Sequence, residues 1–261
     1  MTDLVLLERD GGVATITLNR PQVGNALDLP TARALMDAVI ACDEDDAVRC
    51  VLLTGAGRLF CAGGDVAAFA EAGDKLPVFL KEITVYVHAA VARLLRMNKP
   101  LVTAVNGSAA GAGVGLAILG DIVLAGPKAQ FALAYTGIGL SPDGGTTWLL
   151  PRLVGLRRAQ ELCLRNKRVP AEEAAAIGLV TRVVEGDLMA EAMAVAQDLA
   201  RSATPALGVT RRLLLDSATA SLETQLDAES RGIASLARTA EGKEGIAAFL
   251  EKRAPNFTGD T

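Results

Sequence analysis

Two short runs of the chain are almost bare of side chains: Phe60-Cys61-Ala62-Gly63-Gly64-Asp65 and Asn106-Gly107-Ser108-Ala109-Ala110-Gly111-Ala112-Gly113-Val114-Gly115. Each follows an apolar stretch. Backbone N–H groups from two such turns can converge on one ligand oxygen and hold developing negative charge without a charged residue. The chemistry they suit is that of a carbonyl whose oxygen becomes an oxyanion. Small residues also let a helix pack closely on a strand, and for the second run alone that reading stays open. A dinucleotide-binding fingerprint does not fit, because from Gly111 or Gly113 it requires glycine at 116 or 118, where Leu116 and Ile118 stand.

Proton-carrying groups near such an oxygen are few. Asp143, in Ser141-Pro142-Asp143-Gly144-Gly145-Thr146, lies just before a predicted helix and reads either as a turn or N-cap aspartate or as an acid–base carboxylate. Tyr135 reads as a pocket-lining hydroxyl or as a strand aromatic in the core. His88 is the single histidine; inside a long predicted helix it is expected to be a packing residue. Four cysteines without a C-x-x-C pair, with that one histidine, give no zinc pattern. Cys61 and Cys163 are expected to be buried packing residues rather than nucleophiles.

These residues need a frame. Residues 4–9 and 13–18 flank Gly11-Gly12 and predict a hairpin. Ala32, Leu35, Met36, Val39 and Ile40 recur at helical spacing within a predicted helix over 30–43, and a second long helix is predicted over 77–96. Residues 50–54, 101–105 and 122–125 are continuous apolar runs, which suit buried strands. Both glycine runs follow such strands, where free amides and helix starts gather in an alternating α/β fold. After Gly144 the pattern is helical nearly throughout, over 145–153, 156–164, 171–176, 187–202, 205–216, 222–238 and 241–252, with a short strand at 181–184 and Pro170, Gly178, Gly186, Pro205 and Gly232 as punctuation. A helical tail of that length must pack on something, and its apolar positions favour oligomerisation.

Composition bounds the function. With 261 residues, 51% of them hydrophobic, the chain can bury a substantial core. A net charge of −4 argues against a nucleic-acid surface, which needs a cationic face. No export signal, no membrane-spanning run and no cysteine pairing pattern is apparent, so a soluble protein of the reducing cytoplasm is expected.

Taken in order, Phe60–Asp65, Lys99-Pro100 leading to Asn106-Gly107, Gly111-Ala112-Gly113, Asp121-Ile122, and Gly137-Ile138-Gly139-Leu140 through Pro151-Arg152-Leu153-Val154-Gly155 resemble the crotonase superfamily, the enoyl-CoA hydratase/isomerase family. The resemblance runs from Asn19-Arg20-Pro21 to Phe249-Leu250-Glu251-Lys252-Arg253. It implies an α/β crotonase (ClpP-like) spiral of β-β-α units, with a core over 1–200 and a helical C-terminal trimerisation region over 201–261. It further implies an acyl-CoA thioester as substrate, no metal or redox cofactor, no nucleic-acid or membrane partner, and a homotrimer or a hexamer of two trimers. By motif position the thioester oxygen accepts from the N–H groups of Gly64 and Ala112. Ala62 and Asp65 border the groove for adenine and pantetheine, Arg20, Lys75, Lys252 and Arg253 are phosphate candidates, and Phe249 and Phe257 are candidates to cover the ligand.

The resemblance also marks a departure. Hydratases of the family carry two glutamates, at positions that here hold Gly115 and Tyr135, so the usual means of activating water is missing. The segment Asp143–Arg152 and the tail are similar to the branch with ring-epoxide phenylacetyl-CoA isomerases and aspartate-dependent enoyl-CoA isomerases. That points to Asp143 as the base of an isomerase that shifts a double bond or opens a ring epoxide, with Tyr135 lining its pocket. The alternatives are an enoyl-CoA hydratase, an aroyl-CoA dehalogenase using Asp143 and His88, and a catalytically silent acyl-CoA-binding protein.

Overall fold

In the computed structural model, which describes residues 3–259, the chain opens with the expected hairpin. Strands β1 (Val5–Asp10) and β2 (Val13–Leu18) pair antiparallel, with Asp10 opposite Val13. Helix α1 (Leu29–Glu44) then returns the chain so that β3 (Cys50–Gly55) lies parallel to β2. Two further crossovers add β4 (Leu101–Val105) and β6 (Ile122–Ala125), and β9 (Arg182–Val183) closes a sheet of order β1-β2-β3-β4-β6-β9. β3 and β4 are buried along their whole length, which is why they read as continuous apolar runs.

Alternate residues of these strands feed two cores. Ile16, Val51, Leu53 and Leu101 pack with Leu35 and Val39 of α1 and with Val87 and Leu94 of α3 (Leu76–Arg96). The same core takes in Ala159 and Leu162 of α6 (Leu156–Arg165) and Ala171 and Ala174 of α7 (Ala171–Ala176). On the opposite face Val13, Leu52, Val102 and Leu124 meet Ala192, Ala196 and Ala200 of α8 (Leu188–Arg201). Three alanines one turn apart give α8 a flat stripe that comes close to the sheet.

Two buried cations tie the crossings together. The Lys99 ammonium, 8% exposed, donates to the carbonyls of Cys42, Asp43 and Asp45 at 2.6, 3.0 and 2.6 Å. It caps the end of α1 just before β4 begins, so all three of its donors are used. Arg211, on α9 (Thr204–Asp216), pairs with Asp121 at 2.6 Å and donates to the carbonyls of Leu94 and Lys99.

Several elements differ from the sequence reading. Strands β5 (Ala109–Ala110), β7 (Gln130–Ala132) and β8 (Val169–Pro170) form a second small sheet; at two or three residues each they show no periodicity. Helix α2 (Val66–Ala72) was not predicted, although Asp65 caps it by accepting from the Ala68 N–H. Gly232 does not punctuate the chain but lies inside α10 (Leu222–Leu236), where a Cβ would come within 2.9 Å of Val209 on α9. Its missing side chain allows the two helices to approach.

Candidate active site

The two glycine-rich turns lie back to back. Cys61 and Ala109 form a parallel bridge, the Ala110 N–H donates to the Cys61 carbonyl at 2.9 Å, and the Phe60 N–H donates to the Ser108 carbonyl at 3.1 Å. The contact is possible only without side chains. A Cβ on Gly63, whose φ is 93°, would stand 2.7 Å from the Ala110 carbonyl oxygen, and one on Gly113 would stand 2.2 Å from that of Cys61. Asn25, fully buried, pins the first turn from below: its amide donates to the carbonyls of Ala56 and Leu59 at 2.9 and 2.8 Å while its Oδ1 accepts from the Arg20 N–H. Nothing in the local sequence marks Asn25, because its side chain bonds to main-chain atoms.

This framework leaves two donors open. The Leu27 N–H donates to the Gly63 carbonyl and the Asp65 N–H to the Leu27 carbonyl, so the chain is held on either side of Gly64 while the Gly64 N–H has no partner in the described residues. Ala112 is the first residue of the short helix α4 (Ala112–Ala117), so its N–H is one that no helical carbonyl reaches, and it too is unpaired among the described residues. Both residues line a cavity of about 330 Å³. Both residues are half-buried, so their unpaired N–H groups are available to a ligand at the wall of an apolar cavity.

The cavity wall is apolar, formed by Phe69, Leu80, Ile83, Val87 and Leu133 among others. Tyr135 and Asp143 also line it, and they touch: the Tyr135 hydroxyl donates to Asp143 Oδ1 at 2.5 Å. Burial, then the Asp143 charge, raises the Tyr135 phenol well above its ordinary range and keeps it a donor. Tyr135 reaches this position because Ala134 adopts φ 58°, and the Tyr135 N–H closes a three-residue turn onto the Leu133 carbonyl at 2.7 Å. That conformation costs a non-glycine residue on the order of 1 kcal/mol.

Asp143 is not an N-cap. The cap of α5 (Thr146–Val154) is Gly145, with no side-chain capping bond. The carboxylate instead faces the cavity, and its Oδ2 lies 3.3 Å from His88 Nε2. His88 therefore departs from the packing role expected of it: its side chain is half exposed, and it accepts the Gly144 N–H at 3.1 Å. Cys61 is buried as expected, and burial pushes its thiol up to about 12, away from nucleophilic use.

Of the other candidate ligand contacts, Ala62 lines the cavity, whereas Arg20, Asp65, Lys75, Lys252, Arg253, Phe249 and Phe257 do not. The Arg20 guanidinium is met within the fold by Asp28 and Asp65 at 3.1 and 3.2 Å, so its charge and that of Asp65 are used in bracing the first turn. Arg253 is paired with Glu244 and Glu251. Lys75 is exposed, as is Lys252, which ends α11 (Ala240–Glu251) in a left-handed conformation. Phe249 is 82% exposed, and Phe257 packs beside Gly245 on α11. Among the described residues no group of His, Cys, Asp or Glu is disposed to hold a metal ion, and no helix is long and apolar enough to cross a membrane.

A sheet of mostly parallel strands thus carries an apolar cavity lined by two unpaired amides and one carboxylate. Comparison with known proteins gives the family. The profile of the enoyl-CoA hydratase/isomerase family matches residues 8–260. The chain is 40% identical to the 1,2-epoxyphenylacetyl-CoA isomerase of Escherichia coli K12, over 99% of this chain and 100% of that one. It is 34% identical to the trans-2-decenoyl-acyl-carrier-protein isomerase of Streptococcus mutans, covering 98% of each. The crystal structure of an enoyl-CoA hydratase from Polaromonas sp. JS666 superposes with a TM-score of 0.92 at 33% identity, covering 97% of this chain and 98% of that one. The chain belongs to the enoyl-CoA hydratase/isomerase family and has the crotonase fold.

Proposed function

We propose that this enzyme is an acyl-CoA isomerase in which Asp143 moves one proton along the acyl chain. The observation that carries the reading is that Asp143 is the single acidic residue, among those described, lining the cavity that holds the two vacant amides. For a 3-enoyl thioester, the Asp143 carboxylate takes a proton from C2, and the C–H electron pair spreads into the thioester carbonyl as a dienolate. The N–H groups of Gly64 and Ala112 receive the charge on its oxygen. Asp143 then returns the proton to C4, leaving the double bond between C2 and C3. One carboxylate suffices for this sequence, and no electrons leave the substrate, so no redox cofactor or metal is required. Opening of a ring epoxide beside the thioester draws on the same enolate, and the kinship with the E. coli epoxyphenylacetyl-CoA isomerase favours that substrate class as well.

Hydration needs a second group to activate water, and the two positions where hydratases of the family carry glutamate hold Gly115 and Tyr135. The test is direct. Wild-type enzyme with a 3-enoyl-CoA generates the absorbance of the conjugated 2-enoyl thioester, and Asp143→Asn lowers kcat by about 10²–10⁴-fold with thioester affinity within a few-fold. Wild-type isomerase rates in the Asp143→Asn variant overturn the assignment of the base. Hydration of crotonyl-CoA faster than isomerisation overturns the reaction class.

The same reading extends to assembly. Helix α10 buries none of its residues, and Leu222, Leu226 and Ile233 on it are 68%, 53% and 72% exposed. Ile246, Phe249 and Leu250 on α11 are exposed too. Such faces belong against other subunits, and the enzyme is proposed to be a cytoplasmic homotrimer or a pair of stacked trimers. Of the four cations singled out in the sequence, Lys75 and Lys252, both exposed, are the better placed to meet the phosphates of CoA.

A further inference from the structure

Asp143 has two oxygens in different surroundings, and the difference bears on where a migrating proton rests. Oδ1 accepts the Tyr135 hydroxyl at 2.5 Å. A proton arriving there would have to displace a short, charge-assisted bond. Oδ2 has His88 Nε2 at 3.3 Å, and that same nitrogen accepts the Gly144 N–H at 3.1 Å. An imidazole nitrogen that accepts a backbone N–H presents a lone pair, so the hydrogen of the neutral ring is on Nδ1. That lone pair also points toward Oδ2. The Gly144 N–H already uses it, so a proton on Oδ2 joins as a second, three-centre donor, whereas ionised Asp143 sets a bare oxygen beside a bare nitrogen. The Gly144 N–H, one residue from the carboxylate, makes the arrangement local: moving Asp143 moves the group that sets the state of His88.

We propose that His88 is a positioning residue that directs the transferred proton to Oδ2 of Asp143 and stabilises the protonated acid between its removal from C2 and its return to C4. The proposal rests on the isomerase reading above. His88 does not exchange protons with the substrate. It acts through Asp143, with Tyr135 holding the other oxygen as an acceptor. Among the described residues, Asp143 is the titratable group bonded to the His88 ring, and Tyr135 holds the other Asp143 oxygen.

Because the chain has one histidine, ¹⁵N labelling of histidine gives a single pair of ring signals in the intact enzyme. The expected result is a neutral ring with hydrogen on Nδ1 and a bare Nε2. A neutral ring with hydrogen on Nε2 overturns the proposal whether or not the enzyme turns over. The kinetic arm uses His88→Ala: kcat for isomerisation falls about tenfold while KM stays within about twofold, and added imidazole restores part of kcat, since the half-exposed site admits it. His88→Gln, whose side-chain carbonyl can accept the Gly144 N–H, keeps the loop in place. If His88→Ala is folded and retains full kcat, His88 has no such role. If Asp143→Asn is fully active, the isomerase reading fails first, and the two failures are distinguished by running both variants.

Discussion

Replacing Ala112 by proline removes one hydrogen atom from the site. Ala112 is the first residue of α4, the helix position where proline is best tolerated. The residue before it, Gly111, sits at φ 51° and ψ −126°, outside the helical region that a following proline forbids. No hydrogen bond within the protein is lost, because the Ala112 N–H has no partner among the described residues. In the proposed site its loss falls on the thioester oxygen. A single oxyanion donor is worth about 3 kcal/mol of barrier, so kcat for isomerisation of a 3-enoyl-CoA falls about 10²-fold. The proline ring also puts a carbon where the amide hydrogen pointed. Two controls separate the lost bond from that bulk. Ala112→Gly keeps the N–H and stays within a few-fold of wild type, and binding of a CoA thioether, which lacks the carbonyl oxygen, shows whether the slot has closed. Circular dichroism and a thermal melt establish that each variant is folded. A folded Ala112→Pro enzyme with undiminished kcat refutes the site, and equal losses in the proline and glycine variants assign the effect to the alanine methyl group instead.

The other turn yields a steric prediction. A Cβ on Gly64 would lie 2.4 Å from Phe69 Cζ, the free end of a side chain, so Gly64→Ala folds with the ring displaced into the cavity and KM rises about tenfold; Phe69→Ala in the same chain restores it. Unchanged KM in the single variant, or no rescue in the double, removes Phe69 from the substrate path. For assembly, light scattering of the wild type is expected to give three or six times the chain mass, and Leu226→Glu with Ile233→Glu to shift it toward monomer, since each buried leucine or isoleucine contributes about 2 kcal/mol. A wild-type monomer at micromolar concentration sinks the assembly reading.

How much of this was legible in the sequence depends on where the information lies. The strands β3, β4 and β6 are buried on both faces and announce themselves as apolar runs, and the glycine turns show because a Cβ there would come within 2–3 Å of facing backbone. Asp143 and Tyr135 were visible as residue types, but their contact was not: it depends on the left-handed turn at Ala134, which an alanine does not advertise. Asn25 and His88 were missed or misassigned for a related reason. Their partners are backbone groups or residues more than thirty positions away, and such pairing has no local periodicity. Arg20 is a phosphate candidate in the sequence, which shows its charge but not that Asp28 and Asp65 pair with it.

Gly115 joins these observations into one structural exchange. It occupies a position where hydratases of the family carry a glutamate, and its lack of a side chain reads at first as nothing more than a lost catalytic group. In the fold, a Cβ on Gly115 would stand 2.8 Å from Thr146 Oγ1 and 3.4 Å from the Gly144 carbonyl oxygen. The segment that carries Asp143 therefore rests on the space that a side chain at 115 would fill. A side chain at 115 would first meet the Thr146 hydroxyl and then the Gly144 carbonyl, so it would press on the segment that follows Asp143. On the proposed reading, a glutamate restored at 115 alone displaces the segment beside Asp143, whose Gly144 N–H meets His88, and does not confer hydration of crotonyl-CoA.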